Sequence, residues 1–110
     1  MANGKTMDHS TLLLLSLLST EDMYGYQMIA ELERRSENAF RMKEGTLYPI
    51  LKKLENGGCL STYSREISGR TRKYYHLTEH GAAVLKAEQE AWHSYARGIN
   101  AVLGGMPLST

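Results

Sequence analysis

Between residues 12 and 18 the chain carries six leucines, Leu12, Leu13, Leu14, Leu15, Leu17 and Leu18, interrupted only by Ser16. They cover nearly the whole circumference of a helix expected over about residues 9–19, with Asp8 as its cap. A helix apolar all round needs neighbours on opposite sides, which in a small chain hints at a second subunit. Residues 19–23 read as a polar connection with Asp22 as a possible cap. A second helix then follows over about Tyr24–Arg35, with Met28, Ile29 and Leu32 on one face. Ser36 to Asn38 end it, and Ala39 to Met42 read as an extended stretch.

A third helix is expected over Glu44–Asn56. Leu47, Ile50, Leu51 and Leu54 recur at i, i+3, i+4 and i+7, within an arc of about 100°. Gly45, Thr46, Pro49, Lys52 and Lys53 lie on or near the opposite side, and Gly57 and Gly58 supply the stop. Two extended runs around Ser68-Gly69, about Leu60–Ile67 and Thr71–Leu77, read as a β-hairpin. Tyr74 and Tyr75 point to opposite faces of it, one of them core, with Leu77 the firmer core position. Thr78 caps a last helix running from Glu79 to about Leu103, roughly 37 Å long, and Gly104, Gly105 and Pro107 close it. Leu85, Trp92 and Ile99 recur there every seven residues, with Ala96 and Leu103 each four residues after one of them. That spacing suits helix packing between subunits.

The fold class expected is therefore mainly α with a small β-hairpin. Its element order is that of a winged helix-turn-helix domain, residues 8–77, followed by a dimerisation helix, residues 78–104. At 110 residues the chain suits one modest core, which a second subunit would enlarge. Cys59 is the single cysteine, so no intrachain disulfide and no cysteine metal cluster can form. No apolar run approaches the roughly 20 residues of a membrane span, and a cytoplasmic location with no membrane partner is expected. His76, His80, His93 and Cys59 have no spacing that gathers them, so neither an enzyme, a metal site nor a cofactor is expected.

Net charge is only +1, but it is unevenly spread. Residues 41–75 hold eight Lys or Arg against Glu44, Glu55 and Glu66, whereas the remainder has five basic against nine acidic residues. A basic middle is what a phosphate-facing surface requires, although such clusters are also common on solvated surfaces. The position of the charges is more informative. The third helix has one face to dock and one to present, and the hairpin tip carries Arg70 and Arg72.

Tyr24-Gly25-Tyr26, the run from Glu44 to Glu55 (EGTLYPILKKLE) and the run from Gly69 to Thr78 (GRTRKYYHLT), in that order, resemble the PadR family, over about residues 12–81. The resemblance implies a homodimeric regulator binding an inverted-repeat operator in double-stranded DNA, usually as a repressor released by a small molecule, in the short form that pairs through its last helix. Thr71 stands where proline is also common, and a tryptophan often seen in the first wing strand is absent, with Tyr63 nearby.

Candidate DNA contacts are Thr46, Tyr48, Lys52, Lys53, Arg70, Arg72 and Lys73. Some have a plainer reading: Tyr48 as domain-edge packing, Lys52 and Lys53 as solvated charge. Leu85, Trp92, Ala96, Ile99 and Leu103 are the expected dimerisation positions. Trp92 is either interface core or, as the resemblance to multidrug-responsive short members implies, a wall of a cavity for a flat aromatic or hydrophobic effector. Leu12, Leu15, Glu88, Gln89 and Tyr95 are its candidate neighbours. A competing function is a winged protein-interaction module without specific DNA binding.

Overall fold

The computed structural model describes residues 9–104. Asp8, Gly105 and Pro107, given capping and terminating roles above, lie outside the described residues. The elements run α1 (Ser10–Thr20), β1 (Met23–Tyr24), α2 (Gly25–Arg35), α3 (Glu44–Asn56), β2 (Leu60–Ile67), β3 (Arg70–Leu77) and α4 (Glu79–Val102). The three strands form an antiparallel sheet in the order β1-β3-β2. This is a mainly helical winged helix-turn-helix domain with a long last helix, and the molecule measures 55 × 27 × 26 Å because α4 extends it.

The core forms around α1. Leu14, Leu15, Leu17 and Leu18 are buried with Met23, Met28, Leu32, Leu47, Leu51, Leu54, Leu60, Tyr75 and Leu85, while Leu12 and Leu13 pack half-buried against them. Helix α1 touches α2, α3, α4 and β3, so its all-round apolarity is satisfied largely within one chain. The inference from that apolarity to a second subunit is corrected accordingly.

The stretch read as a polar connection also needs correction. Helix α1 runs on to Thr20, and Met23 and Tyr24 form a strand instead, pairing with Tyr75 and Tyr74 of β3. Met23 is fully buried. Asp22 caps nothing, because its carboxylate is turned to the sheet. It accepts from the Tyr63 hydroxyl at 2.6 Å and lies 2.9 Å from the His76 ring nitrogen.

The hairpin register pairs Leu60 with Leu77 and Ile67 with Arg70, leaving Ser68 and Gly69 as a two-residue turn. Both have positive φ, 54° and 79°, the mirror-image geometry that matches strand twist. Strand alternation puts Tyr75 on the helix side, in the core, and Tyr74 on the outward side. Tyr74 is nonetheless only 6% exposed. Tyr24 meets it edge-on at 5.5 Å and Tyr63 stacks on it at 5.6 Å, so both tyrosines are covered. Leu77, expected as the firmer core position, is half-buried at the margin.

Thr78 starts α4 as expected, its hydroxyl accepting from Gly81 N at 3.0 Å. The same hydroxyl donates to the Gly58 carbonyl at 2.6 Å, and Thr78 N donates to Cys59 O at 3.0 Å. These bonds root α4 on the turn that ends α3.

Candidate nucleic-acid interface

Helix α3 is two-sided. Leu47, Leu51 and Leu54 are buried and Ile50 is half-buried, whereas Glu44, Gly45, Thr46, Tyr48, Pro49, Lys52 and Lys53 are exposed. Lys43 precedes the helix with extended backbone and provides no side-chain cap. Thr46 N and Leu47 N both donate to the Lys43 carbonyl, at 3.0 and 2.9 Å, so of the first-turn N–H groups those of Glu44 and Gly45 are left for an anion beside the lysine. Pro49 sits inside the helix and has no N–H for the Gly45 carbonyl four residues back, which keeps that carbonyl available on the exposed side.

Tyr48 is 39% exposed, but its ring is seated on α2. A Cβ added to Gly25 would overlap the Tyr48 hydroxyl and ring end, so glycine there is what lets the phenol lie on the start of α2. Burial and the nearby hydroxyl of Tyr75 and carboxylate of Glu44 hold the Tyr48 phenol neutral by raising its pKa. Only the remaining edge of the ring is open to a partner.

The wing is fastened to the end of α3 through Glu55. Its carboxylate accepts from Thr62 Oγ1 at 3.4 Å and lies 3.9 Å from Lys73 Nζ. Lys73 also lies over the Tyr75 ring, 5.5 Å from its centre. It therefore projects from the α3 side of the sheet, opposite to Arg72, and serves to hold wing and helix together. Arg70 and Arg72 share the outward side, where the Arg72 guanidinium lies 4.3 Å from the centre of the Tyr24 ring. Sequence reasoning missed Arg65. It faces Arg72 directly across the ladder and lies over Tyr74, and only the hairpin register reveals that pairing.

The positions assigned to assembly divide along α4. Leu85 is 6% exposed within its own chain's core, and Ala96 is also buried. Trp92, Tyr95, Ile99, Val102 and Leu103 are exposed by 38, 45, 43, 87 and 70%. Tyr95, Ile99, Val102 and Leu103 line an open hollow of about 450 Å³ with Ser94 and Gly98. The Trp92 ring lies 5.8 Å from Tyr95 and meets His9 edge-on at 5.2 Å. Of its other candidate neighbours, Glu88 and Gln89 are exposed and Leu12 is half-buried one turn after His9. Leu15 is enclosed in the core and does not share that surface.

Among the described residues no helix is long and apolar enough to cross a membrane, and no His, Cys, Asp or Glu group could hold a metal. Residues 14–87 match the model of the Transcriptional regulator PadR-like family. Transcriptional regulator Rv3488 of Mycobacterium tuberculosis is 35% identical over 92 residues, 84% of this chain and 80% of that protein. The crystal structure of a PadR family transcription regulator from Clostridium difficile R20291 superposes with a TM-score of 0.76 at 33% identity, covering 88% of this chain and all of that one. A transcriptional regulator from Clostridium thermocellum superposes with a TM-score of 0.80 at 28% identity, covering 90% of this chain and 97% of its own.

Proposed function

Since the chain belongs to the PadR-like family of transcriptional regulators and shares its DNA-binding winged fold, we propose that it acts as a homodimeric, ligand-responsive repressor on an inverted-repeat operator. The observation that carries this reading is the division of labour along the molecule. One end presents the open face of α3 and the wing arginines, and the other presents an apolar stripe from Trp92 to Leu103 that its own chain leaves exposed.

In this reading the α4 stripe pairs with its copy and sets the two α3 helices about one DNA turn apart, roughly 34 Å. The Thr46 hydroxyl, the N–H groups of Glu44 and Gly45, Lys52 and Lys53 then meet the walls of the major groove, and Arg70 and Arg72 grip the backbone beside it. Tyr48 offers its open ring edge to a thymine methyl while its hydroxyl end stays on Gly25. The outward face of α3 has no arginine, the residue that reads guanine with two parallel bonds. Half-site spacing and DNA shape accordingly supply much of the specificity. A flat aromatic effector stacking on Trp92 between subunits changes the angle between the winged domains. A coupling of about 1–3 kcal/mol corresponds to a change in DNA affinity of roughly 5- to 150-fold.

The test is a gel-shift titration with DNA from upstream of the protein's own transcription unit and a scrambled duplex of equal length. The expected outcome is tighter binding to the upstream DNA at physiological salt. Equal affinity for the two refutes sequence-specific regulation and favours a protein-interaction module. Trp92 is the single tryptophan, so its emission reports effector binding directly. Emission and DNA affinity that both stay constant across a panel of flat aromatic compounds reject the sensing role.

A further inference from the structure

The outward face of the wing sheet carries an arrangement that the motif residues do not account for. The register sets three successive rows across that face: Tyr63, Tyr74 and Tyr24; then Arg65 and Arg72; then Ile67 and Arg70 at the tip. The rings of the first row act as seats for the second. The Arg65 guanidinium lies 5.2 Å from the centre of the Tyr74 ring and that of Arg72 lies 4.3 Å from the centre of Tyr24.

No acid among the described residues forms an ion pair with Arg65, Arg70 or Arg72. Asp22 is engaged with Tyr63 and His76 on the far side of the tyrosine row, and alternation turns Glu66 to the opposite face. Two like charges directly opposite each other weaken an antiparallel ladder. Seating each guanidinium on a ring recovers part of that loss and also limits where its N–H groups can lie. The pair is unfavourable alone and becomes favourable with an oxyanion between the two forks.

We infer that Arg65 and Arg72 form a two-guanidinium clamp for a backbone phosphate of DNA, held in position by the Tyr74 and Tyr24 rings. Arg65 is thereby a DNA contact outside the segments that carry the family resemblance. The inference rests on the DNA-binding reading above. Continuity with Arg70 in the next row favours a polyanion that runs along the face. The open surface around Arg65, which is exposed, provides no enclosure for a small free anion.

A phosphate contact is independent of base sequence, so the probe is a mixed-sequence duplex of roughly 30 base pairs, followed by fluorescence anisotropy from about 50 to 200 mM salt. Arg65→Ala is expected to reduce the slope of log affinity against log salt by about 0.9, so that its deficit relative to the unaltered protein narrows roughly 3.5-fold across that range. Arg65→Lys keeps the charge and is expected to retain the slope while binding more weakly, because the fork is lost. Melting temperature is the control for a merely structural role. An unchanged slope for Arg65→Ala overturns the inference, and a melting temperature that falls at the same time identifies Arg65 as support for Tyr74 alone. Failure of the unaltered protein to bind either this duplex or its upstream DNA overturns the DNA-binding reading as well.

Discussion

Replacing Gly25 by alanine tests whether Tyr48 is a packing element or a free reader of DNA. The added Cβ would overlap the end of the phenol ring, so either the ring or α3 must move. Overfilling a packed contact costs about 1–3 kcal/mol. The opposing gain in helix propensity is below about 1 kcal/mol, and less at the first helical position, where Gly25 stands. The net expectation is a loss of roughly 1–2 kcal/mol. Deleting the ring by Tyr48→Ala removes the obstruction, and in that background Gly25→Ala should be neutral or mildly stabilising. A double-mutant cycle measured by urea denaturation at one fixed protein concentration therefore yields a coupling of about 1–3 kcal/mol. Additive effects within about 0.5 kcal/mol would falsify the contact and return Tyr48 to solvent. DNA affinity of the Gly25→Ala protein should fall, since a displaced ring leaves α3 tilted relative to the wing. Full affinity with the coupling intact would confine the contact to stability.

Truncating both Arg70 and Arg72 to alanine should weaken binding to all duplexes alike and lower the salt slope by about 1.8; loss of sequence preference with the slope retained would contradict a backbone role. Ile99→Asp should convert the proposed dimer to a folded monomer in analytical ultracentrifugation, because Ile99 is exposed in its own chain, whereas Leu85→Asp should prevent folding by burying a charge. A dimeric Ile99→Asp protein would place the subunit contact elsewhere. Burial opposes the charge of Asp22, yet its bonds from Tyr63 and His76 hold the carboxyl below its ordinary value of 3.8. A lowered native pKa makes its contribution present above the unfolded value and lost as pH falls through the native one. Asp22→Asn should therefore reduce stability at neutral pH and flatten its decline on acidification below about pH 4; an unaltered acid profile counts against the bonds of Asp22 with Tyr63 and His76.

The sequence made α3 legible to the residue because its period, its acidic start and its glycine stop all agree. The hairpin and the α4 cap were legible for the same reason: local chemistry and long-range structure demand the same thing there. Strand β1 was not. Two residues carry no period, and Met23 and Tyr24 are extended only because β3 offers them partners. The same pairing explains why both Tyr74 and Tyr75 are covered when alternation alone allowed just one, since Tyr24 roofs the outward side. Heptad spacing grouped Leu85 with Trp92 and Ile99 but could not tell which turns of α4 the winged domain already occupies. Arg65 was invisible as a site because its significance depends on lying opposite Arg72, a register fixed by the Ser68-Gly69 turn.

The fastenings between elements bear on how an effector could act at all. Glu55 ties the end of α3 to both wing strands, Tyr48 ties its start to α2, and Thr78 ties the root of α4 to Gly58, two residues after α3 ends. Loosening α3 within its own domain would break several of these contacts together. Rotating the exposed half of α4 against a second copy breaks none of them. A ligand at Trp92 is therefore expected to shift the two winged domains as rigid bodies and to spoil the spacing between them. Affinity for a single half-site should then be almost unaffected by ligand, while affinity for the full inverted repeat falls. Equal loss on both duplexes would mean that the signal passes through Thr78 into α3 itself.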